Sequence, residues 1–387
     1  MTIEAADWRW MARAIQLARK GLYTTDPNPR VGCVLTRDGA EIGSGFHRKA
    51  GEPHAERNAL ADARARGREP RGATAYVTLE PCSHHGRTPP CADGLIEAGI
   101  ARVVVAMEDP NPRVAGRGIA RLRAAGIEVD TGLLRDAAEA LNPGFIRRME
   151  GGLPWLRCKL AMSFDGRTAM ASGESQWITS PAARADVQRL RARSSAILTG
   201  IGTVLADDPS LNVRTPLAEL EPALADLPPR QPLRVVLDSR LRMPPDARLL
   251  SLPGDTLVLT RDRDSARADA LRAAGAEVHR VDADDQGRLS LDDVLHLLAT
   301  REINEVLLEA GPTLAGAALQ SGYIDELVVY SAPHLMGDSA RGLFHLPGIE
   351  RMEQRIALEI LDQRRVGADT RTLARCRRLD GVKPLAR

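Results

Sequence analysis

The 387 residues are 43% hydrophobic and 27% charged, an ordinary composition for a globular chain of two or three domains. With 53 basic and 51 acidic residues the net charge is +2, which offers no basic tail or block of the kind that tracks nucleic acid. No apolar run approaches the roughly 20 residues of a membrane span, and the first residues lack a basic-then-apolar export signal, so membrane and secreted classes are set aside and a cytoplasmic setting is expected.

Trp8 to Lys20 has the periodicity of an amphipathic helix, with Asp7 as N-cap and Gly21 as its stop. Val31 to Thr36 and Glu41 to Phe46 flank Asp38-Gly39 and predict a hairpin. A helix from about His54 to Ala65, a strand at Ala73 to Leu79, a helix at Ala92 to Ala98 and a strand at Arg102 to Ala106 follow. The series closes with a helix near Gly118 to Ala125, a strand at Ile127 to Asp130 and a helix from Arg135 to Met149. This alternation implies a sheet covered on both faces.

Two glycines and a proline in Glu150–Pro154 mark a domain boundary, giving segments 1–149 and 150–387. Beyond it, strands are expected at WLRCKLAM, Ala196 to Thr199, Leu233 to Asp238, Thr256 to Thr260, Glu305 to Glu309 and Glu326 to Ser331. Helices are expected at Ala182 to Arg193, Ser265 to Ala274 and Leu291 to Thr300. Pro216 to Pro232 is rich in Pro and Ala and predicts a surface loop or short irregular helix. Five cysteines without an export signal argue against a disulfide framework.

Pro53-His54-Ala55-Glu56 and the run Pro81-Cys82…Pro90-Cys91 carry the strongest chemical signal. One His and two Cys offer Zn²⁺ three ligands and leave a fourth position open, the pattern of a catalytic rather than a structural site. Glu56, two residues from His54, stands in the same helical turn and suits proton transfer without being a ligand. The alternative is a folding zinc, or two unrelated buried thiols. His84 or His85 could complete such a site, and His47 could compete. Zinc nucleobase deaminases combine H-x-E with two cysteines two residues apart, whereas eight residues separate Cys82 and Cys91.

With Pro27-Asn28-Pro29-x-Val31-Gly32-Cys33 and His47-x-x-Ala50-Gly51, that long run resembles the deaminase domain of the bifunctional riboflavin-biosynthesis deaminase/reductase family. The resemblance implies an α/β chain whose first 149 residues form a three-layer cytidine-deaminase-like domain. Zinc would sit on His54, Cys82 and Cys91, with Glu56 as proton shuttle. The substrate would be 2,5-diamino-6-ribosylamino-4(3H)-pyrimidinone 5′-phosphate, losing its C2 amine as ammonia. Asn28, His47, His84 and Arg87 would contact it; an amide can both donate to and accept from a pyrimidine edge, and Arg suits phosphate.

The second half shows no dinucleotide fingerprint: Gly200-x-Gly202 is followed by Leu205 where a third glycine belongs. Glu309–Gly316 follows a strand and opens a helix, so it reads either as a phosphate cradle or as a tight turn. Lys159-Leu160-Ala161-Met162-Ser163-x-Asp165-Gly166-Arg167-Thr168-Ala169, Ser172–Thr179 and Asp207–Arg214 resemble the reductase domain of the same family. That domain is similar to dihydrofolate reductase, and would use NADPH to reduce the ribosyl group to ribityl. By the same resemblance Ala161, Trp177, Thr203, Asp207, Ser239 and Gly311, Pro312, Thr313, Leu314, Ala315, Gly316 and Ala317 would line the cofactor site. Lys159, Ser175, Arg191, Leu211, Arg214 and Glu309 would hold the phosphorylated substrate, and family members favour a homo-oligomer. Competing readings are a nucleoside or tRNA deaminase with an appended redox domain, and a deaminase whose second half binds ligand without catalysis. No nucleic-acid or membrane partner is expected.

Overall fold

Helix α1 (Ala5–Arg19) starts one turn earlier than its apolar pattern indicates, because Glu4 and Asp7 form a reciprocal capping box. Asp7 is therefore not the N-cap; its buried carboxylate accepts from Tyr76 Oη at 2.7 Å and Arg102 Nη1 at 2.8 Å. At the other end the chain does not stop at Gly21 but tightens into a 3₁₀ turn, Lys20–Tyr23. The computed structural model describes residues 3–83, 90–284 and 286–376. It divides into two compact units, Met1–Leu153 with Pro216–Pro229, and Pro154–Thr215 with Arg230–Arg387. Among the described residues no helix is long and apolar enough to cross a membrane.

In the first unit β1 (Gly32–Arg37) and β2 (Ala40–Phe46) form the expected hairpin, with Asp38 and Gly39 at φ 52° and 74°. Both central residues thus have the positive φ that such a two-residue turn requires. The chain continues through α2 (Ala55–Ala65), β3 (Thr74–Val77), α3 (Cys91–Glu97), β4 (Arg102–Val105), α4 (Arg117–Ala124) and β5 (Glu128–Thr131). The sheet order is β2-β1-β3-β4-β5, antiparallel at β1 and parallel from β3 to β5. Cys33, Leu35, Val77, Val103 and Val105 face one core with α2 to α4 residues. Val34, Tyr76 and Val104 face the opposite core with α1. Burial on both sides explains why these strands read as unbroken apolar runs.

Arg135 to Met149 is two helices rather than one, α5 (Arg135–Glu139) and α6 (Pro143–Gly151). Pro143 has no amide hydrogen to donate back to Glu139, and its ring would clash with that carbonyl. The Pro/Ala-rich segment is more than a surface loop. Leu217 and Leu224 are buried, and Arg48 grips Asp226 at 2.7 and 2.9 Å within the first unit.

The second unit carries β6 (Trp155–Ser163), β7 (Arg167–Ala169), α7 (Pro181–Arg193), β8 (Ala196–Gly200) and α8 (Ile201–Asp207). Then come β9 (Leu233–Leu237), β10 (Thr256–Thr260), β11 (Ala276–Arg280), β12 (Glu305–Leu308), β13 (Ile324–Ala332) and β14 (Arg341–Gly342). Helices Ser265–Ala273, Leu291–Thr300 and Pro312–Gln320 cross between strands. A last hairpin, β15 (Leu358–Val366) and β16 (Asp369–Cys376), completes a nine-stranded sheet ordered β11-β10-β9-β8-β12-β6-β13-β16-β15. Strands β11 through β13 run parallel, and β16 and β15 add antiparallel. This order brings the carboxyl ends of β8, β12 and β6 side by side, where open α/β sheets bind ligands.

Candidate active sites

His54 is the N-cap of α2, so its ring and the Glu56 side chain project from the helix's first turn. The depth of that helix is set by glycines in β2. A Cβ on Gly45 would lie 2.5 Å from Ala59 N, and one on Gly43 would lie 2.6 Å from Ala59 O. Backbone therefore touches backbone, a contact only glycine permits.

Cys82 follows β3, and Cys91 opens α3. His54 Nδ1 stands 3.7 Å from Cys82 Sγ and 3.4 Å from Cys91 Sγ. Zinc bond lengths of about 2.3 Å to sulfur and 2.0–2.1 Å to nitrogen give a tetrahedral N···S edge of about 3.6 Å, which these distances bracket. The donor set and its spacing fit Zn²⁺. A hydrogen bond from the Cys91 side chain and another from His54, working against burial, lower the Cys82 pKa, which favours the ligating form of its sulfur. Two backbone amides tie the start of α3 to Cys82: Cys91 N–H donates to Cys82 Sγ at 3.3 Å, and Ala92 N–H to Cys82 O at 3.2 Å.

Glu56 is 3% exposed, and its Oε2 has no hydrogen-bond partner among the described residues. Burial raises its pKa above the usual carboxylate range. One unpartnered oxygen on a buried carboxylate beside the metal donors suits a group that takes up and gives back a proton. His47 packs edge-on against His54, ring centroids 5.1 Å apart. Its Nδ1 lies 3.1 Å from Pro53 O, an acceptor only, so Nδ1 carries the hydrogen and Nε2 accepts from Asn28 Nδ2 at 3.1 Å. Burial pushes His47 down to about 4, so it is neutral at physiological pH. His84 and Arg87 lie outside the described residues.

In the second unit Glu309 directly follows β12 and sits in a cage of cations. Arg191 grips it with two hydrogen bonds, Nε–Oε1 at 2.6 Å and Nη2–Oε2 at 3.0 Å, and Lys159 Nζ stands 3.9 Å away. Burial works against the Glu309 charge, but Arg191, Lys159 and Arg214 outweigh it and hold the carboxyl below its usual range. Burial pushes the Lys159 ammonium down, with Glu309 opposing. The third Arg191 nitrogen donates to Asn212 O at 3.3 Å, so Arg191 is committed to the protein at every arm. Arg214 donates to Asn212 Oδ1 at 3.0 Å and borders the same cluster. The Leu211 side chain is buried in the core, leaving only its backbone for a ligand.

Ala161 lies in β6, Thr203 and Asp207 on α8, Ser239 just after β9, and Gly311–Ala317 at the start of helix Pro312–Gln320. These residues lie in, or in the segments that follow, the neighbouring parallel strands β6, β8, β9 and β12. Gly316 admits the His345 carbonyl, 2.0 Å from where its Cβ would be, so that helix needs glycine for packing as well. Ser175 Oγ reaches Asp207 Oδ1 at 3.4 Å, and Trp177 is 69% exposed with the Arg184 guanidinium 4.5 Å from its ring centroid.

Three features escaped the sequence reading. Glu80 accepts backbone hydrogen bonds from Asp109, Gly116, Gly118 and Ile119. Arg57 donates to Pro90 O at 3.1 Å. Asp165 accepts from the amides of Met336 and Gly337 at 3.1 and 2.8 Å, tying the β6–β7 turn to a distant loop. A carboxylate wedged between an apolar strand and Pro81-Cys82 was a usable signal; the other two depend on tertiary neighbours.

The family model for the cytidine and deoxycytidylate deaminase zinc-binding region matches residues 5–107, and that for the RibD C-terminal domain matches residues 154–371. The riboflavin biosynthesis protein RibD of Escherichia coli is 52% identical over 368 residues, 94% of this chain and 97% of that protein. RibD of Haemophilus influenzae is 47% identical over 372 residues, 95% and 97% of the two chains. The crystal form 1 structure of Acinetobacter baumannii RibD superimposes with a TM-score of 0.87 at 46% identity, covering 96% of this chain and 99% of that one. A Thermotoga maritima diaminohydroxyphosphoribosylaminopyrimidine deaminase/5-amino-6-(5-phosphoribosylamino)uracil reductase gives 0.83 at 33% identity, with the same coverage. The two units are thus the cytidine-deaminase-like and dihydrofolate-reductase-like folds, and the chain belongs to the RibD family of riboflavin biosynthesis proteins.

Proposed function

We propose that this chain catalyses two consecutive steps of riboflavin synthesis. Residues 1–149 deaminate 2,5-diamino-6-ribosylamino-4(3H)-pyrimidinone 5′-phosphate, and residues 150–387 reduce the ribosyl group with NADPH to give 5-amino-6-ribitylaminouracil 5′-phosphate. The observation that carries the first step is the convergence of His54 Nδ1, Cys82 Sγ and Cys91 Sγ, within 4.8 Å of one another, with the buried Glu56 carboxylate, whose Oε2 is unpartnered, on the same helical turn as His54.

Bound at His54, Cys82 and Cys91, zinc supplies a Lewis acid that makes water nucleophilic at neutral pH. Glu56 accepts the proton that the attacking water loses and returns it to the departing C2 amine, which leaves as ammonia. Neutral His47 holds Asn28 by its amide nitrogen, so the Asn28 carbonyl oxygen is the end offered to a donor on the pyrimidine. His84 and Arg87 complete the contacts to the substrate in this reading.

Ala161, Trp177, Thr203, Asp207, Ser239 and the Gly311–Ala317 segment would hold NADPH, which would supply a hydride to C1′ of the imine formed when the C1′–O4′ bond opens and O4′ takes up the amine proton, the imine nitrogen gaining a proton in turn. Lys159, Ser175, Arg191, Leu211, Arg214 and Glu309 surround the phosphorylated substrate. Arg214 and Lys159 are the cations with capacity for an anion, while Arg191 fixes Glu309. The working form in this reading is a cytoplasmic homo-oligomer.

A paired assay on the full chain tests the reading. Ammonia release without NADPH, and NADPH oxidation only after deamination, are expected. Ammonia release with no NADPH consumption would reduce the second unit to a binding module; neither signal from zinc-loaded protein would overturn both assignments.

A further inference from the structure

A tight two-residue spacer fixes two cysteines by its own turn, but the eight residues between Cys82 and Cys91 leave that task to something else. The structure holds each cysteine from outside the joining loop. On the Cys82 side, buried Glu80 receives four amides: Asp109 at 3.2 Å and Gly116 at 2.9 Å on Oε2, Gly118 at 2.8 Å and Ile119 at 3.2 Å on Oε1. Two of these belong to the first turn of α4, so the carboxylate caps that helix and sits against its positive end. A Cβ on Gly118 would come within 1.9 Å of Pro81 O, so the helix presses directly on the residue before Cys82.

On the Cys91 side the brace is Arg57, adjacent to Glu56 on α2. Its Nη2 donates to Pro90 O at 3.1 Å, and its guanidinium lies flat over Gly94, with Cζ 2.8 Å from where a Cβ would stand. Helix α3, with Cys91 as its first residue, is thereby pinned to the helix that presents His54 and Glu56.

We propose that Glu80 and Arg57 are positioning residues of the metal centre. They set the spacing of the two cysteine sulfurs from outside the segment that joins them. The proposal rests on the reading of His54, Cys82 and Cys91 as the zinc ligands. Groups that orient ligands in this way typically change metal affinity 10–100-fold when replaced.

The test is the rate at which zinc passes from the purified full chain to a chromogenic chelator, followed for wild type, Arg57→Met, Arg57→Lys, Glu80→Gln and Cys91→Ser. Arg57→Met keeps the aliphatic stem and loses the donor, and about tenfold faster release is expected. Arg57→Lys restores one donor to Pro90 and should return most of the retention. Glu80→Gln places an amide against four N–H donors and should accelerate release further; if it fails to fold, the Arg57 pair decides alone. Wild-type release from both Arg57→Met and Glu80→Gln, while Cys91→Ser loses zinc, would overturn the proposal and leave the ligand assignment standing. Zinc retained by Cys91→Ser would instead overturn the assignment on which it rests.

Discussion

Glu56→Gln is expected to keep its full zinc complement and to release ammonia about 10²–10⁴-fold more slowly than the wild type. Gln preserves the shape of a side chain that is 3% exposed on the first turn of α2 and is not one of the three donors His54, Cys82 and Cys91. It cannot take a proton from water and pass it to an amine. NADPH oxidation with the already deaminated substrate should be unchanged, because that chemistry belongs to the other unit. Elemental analysis and an ammonia assay check both halves of the expectation. Undiminished ammonia release would remove Glu56 from the mechanism, and lost zinc would make it a ligand or a structural support.

Glu309→Ala should abolish NADPH oxidation and lower the stability of the second unit by about 3–5 kcal/mol, the usual cost of breaking a buried ion pair. Removing the carboxylate leaves Arg191, Lys159 and Arg214 facing one another without an anion. The sign of the pH effect follows from the direction of the Glu309 shift. Its folded pKa is depressed, so it stabilises the fold fully above about pH 4.3 and loses that contribution as pH falls toward the lower folded value. The Ala variant should lack this part of the acid limb. Denaturant unfolding at several pH values, with ammonia release followed as a control on the first unit, reads out both effects. An unchanged midpoint with normal NADPH oxidation would mean that the cation cage is neither structural nor functional.

Much of this organisation is legible in the chain because local signals and tertiary demands agree. Asp38-Gly39 requires the hairpin it forms, and Thr256–Thr260 and Leu291–Thr300 appear where their apolar patterns place them. The donor set is legible for a chemical reason: H-x-E and paired cysteines have few other uses together. What stayed hidden depends on partners distant in sequence. Asp7 has the chemistry of a cap, yet a buried ion pair with Arg102 claims it. The β15 strand, Leu358–Val366, carries Glu359, Asp362, Arg364 and Arg365 and does not look like sheet, because an exposed edge strand tolerates charge. Arg191 is expected at the substrate phosphate by resemblance, and only the fold shows that Glu309 already engages it.

The most direct test of the account is X-ray absorption at the zinc edge of the full-length protein. Two sulfur scatterers at about 2.3 Å and two nitrogen or oxygen scatterers at about 2.0–2.1 Å are predicted: Cys82, Cys91, His54 and one exchangeable position. In Cys82→Ser or Cys91→Ser any zinc that remains should show one sulfur fewer. A shell of four protein ligands, or one without sulfur, would contradict the catalytic site described for the first unit.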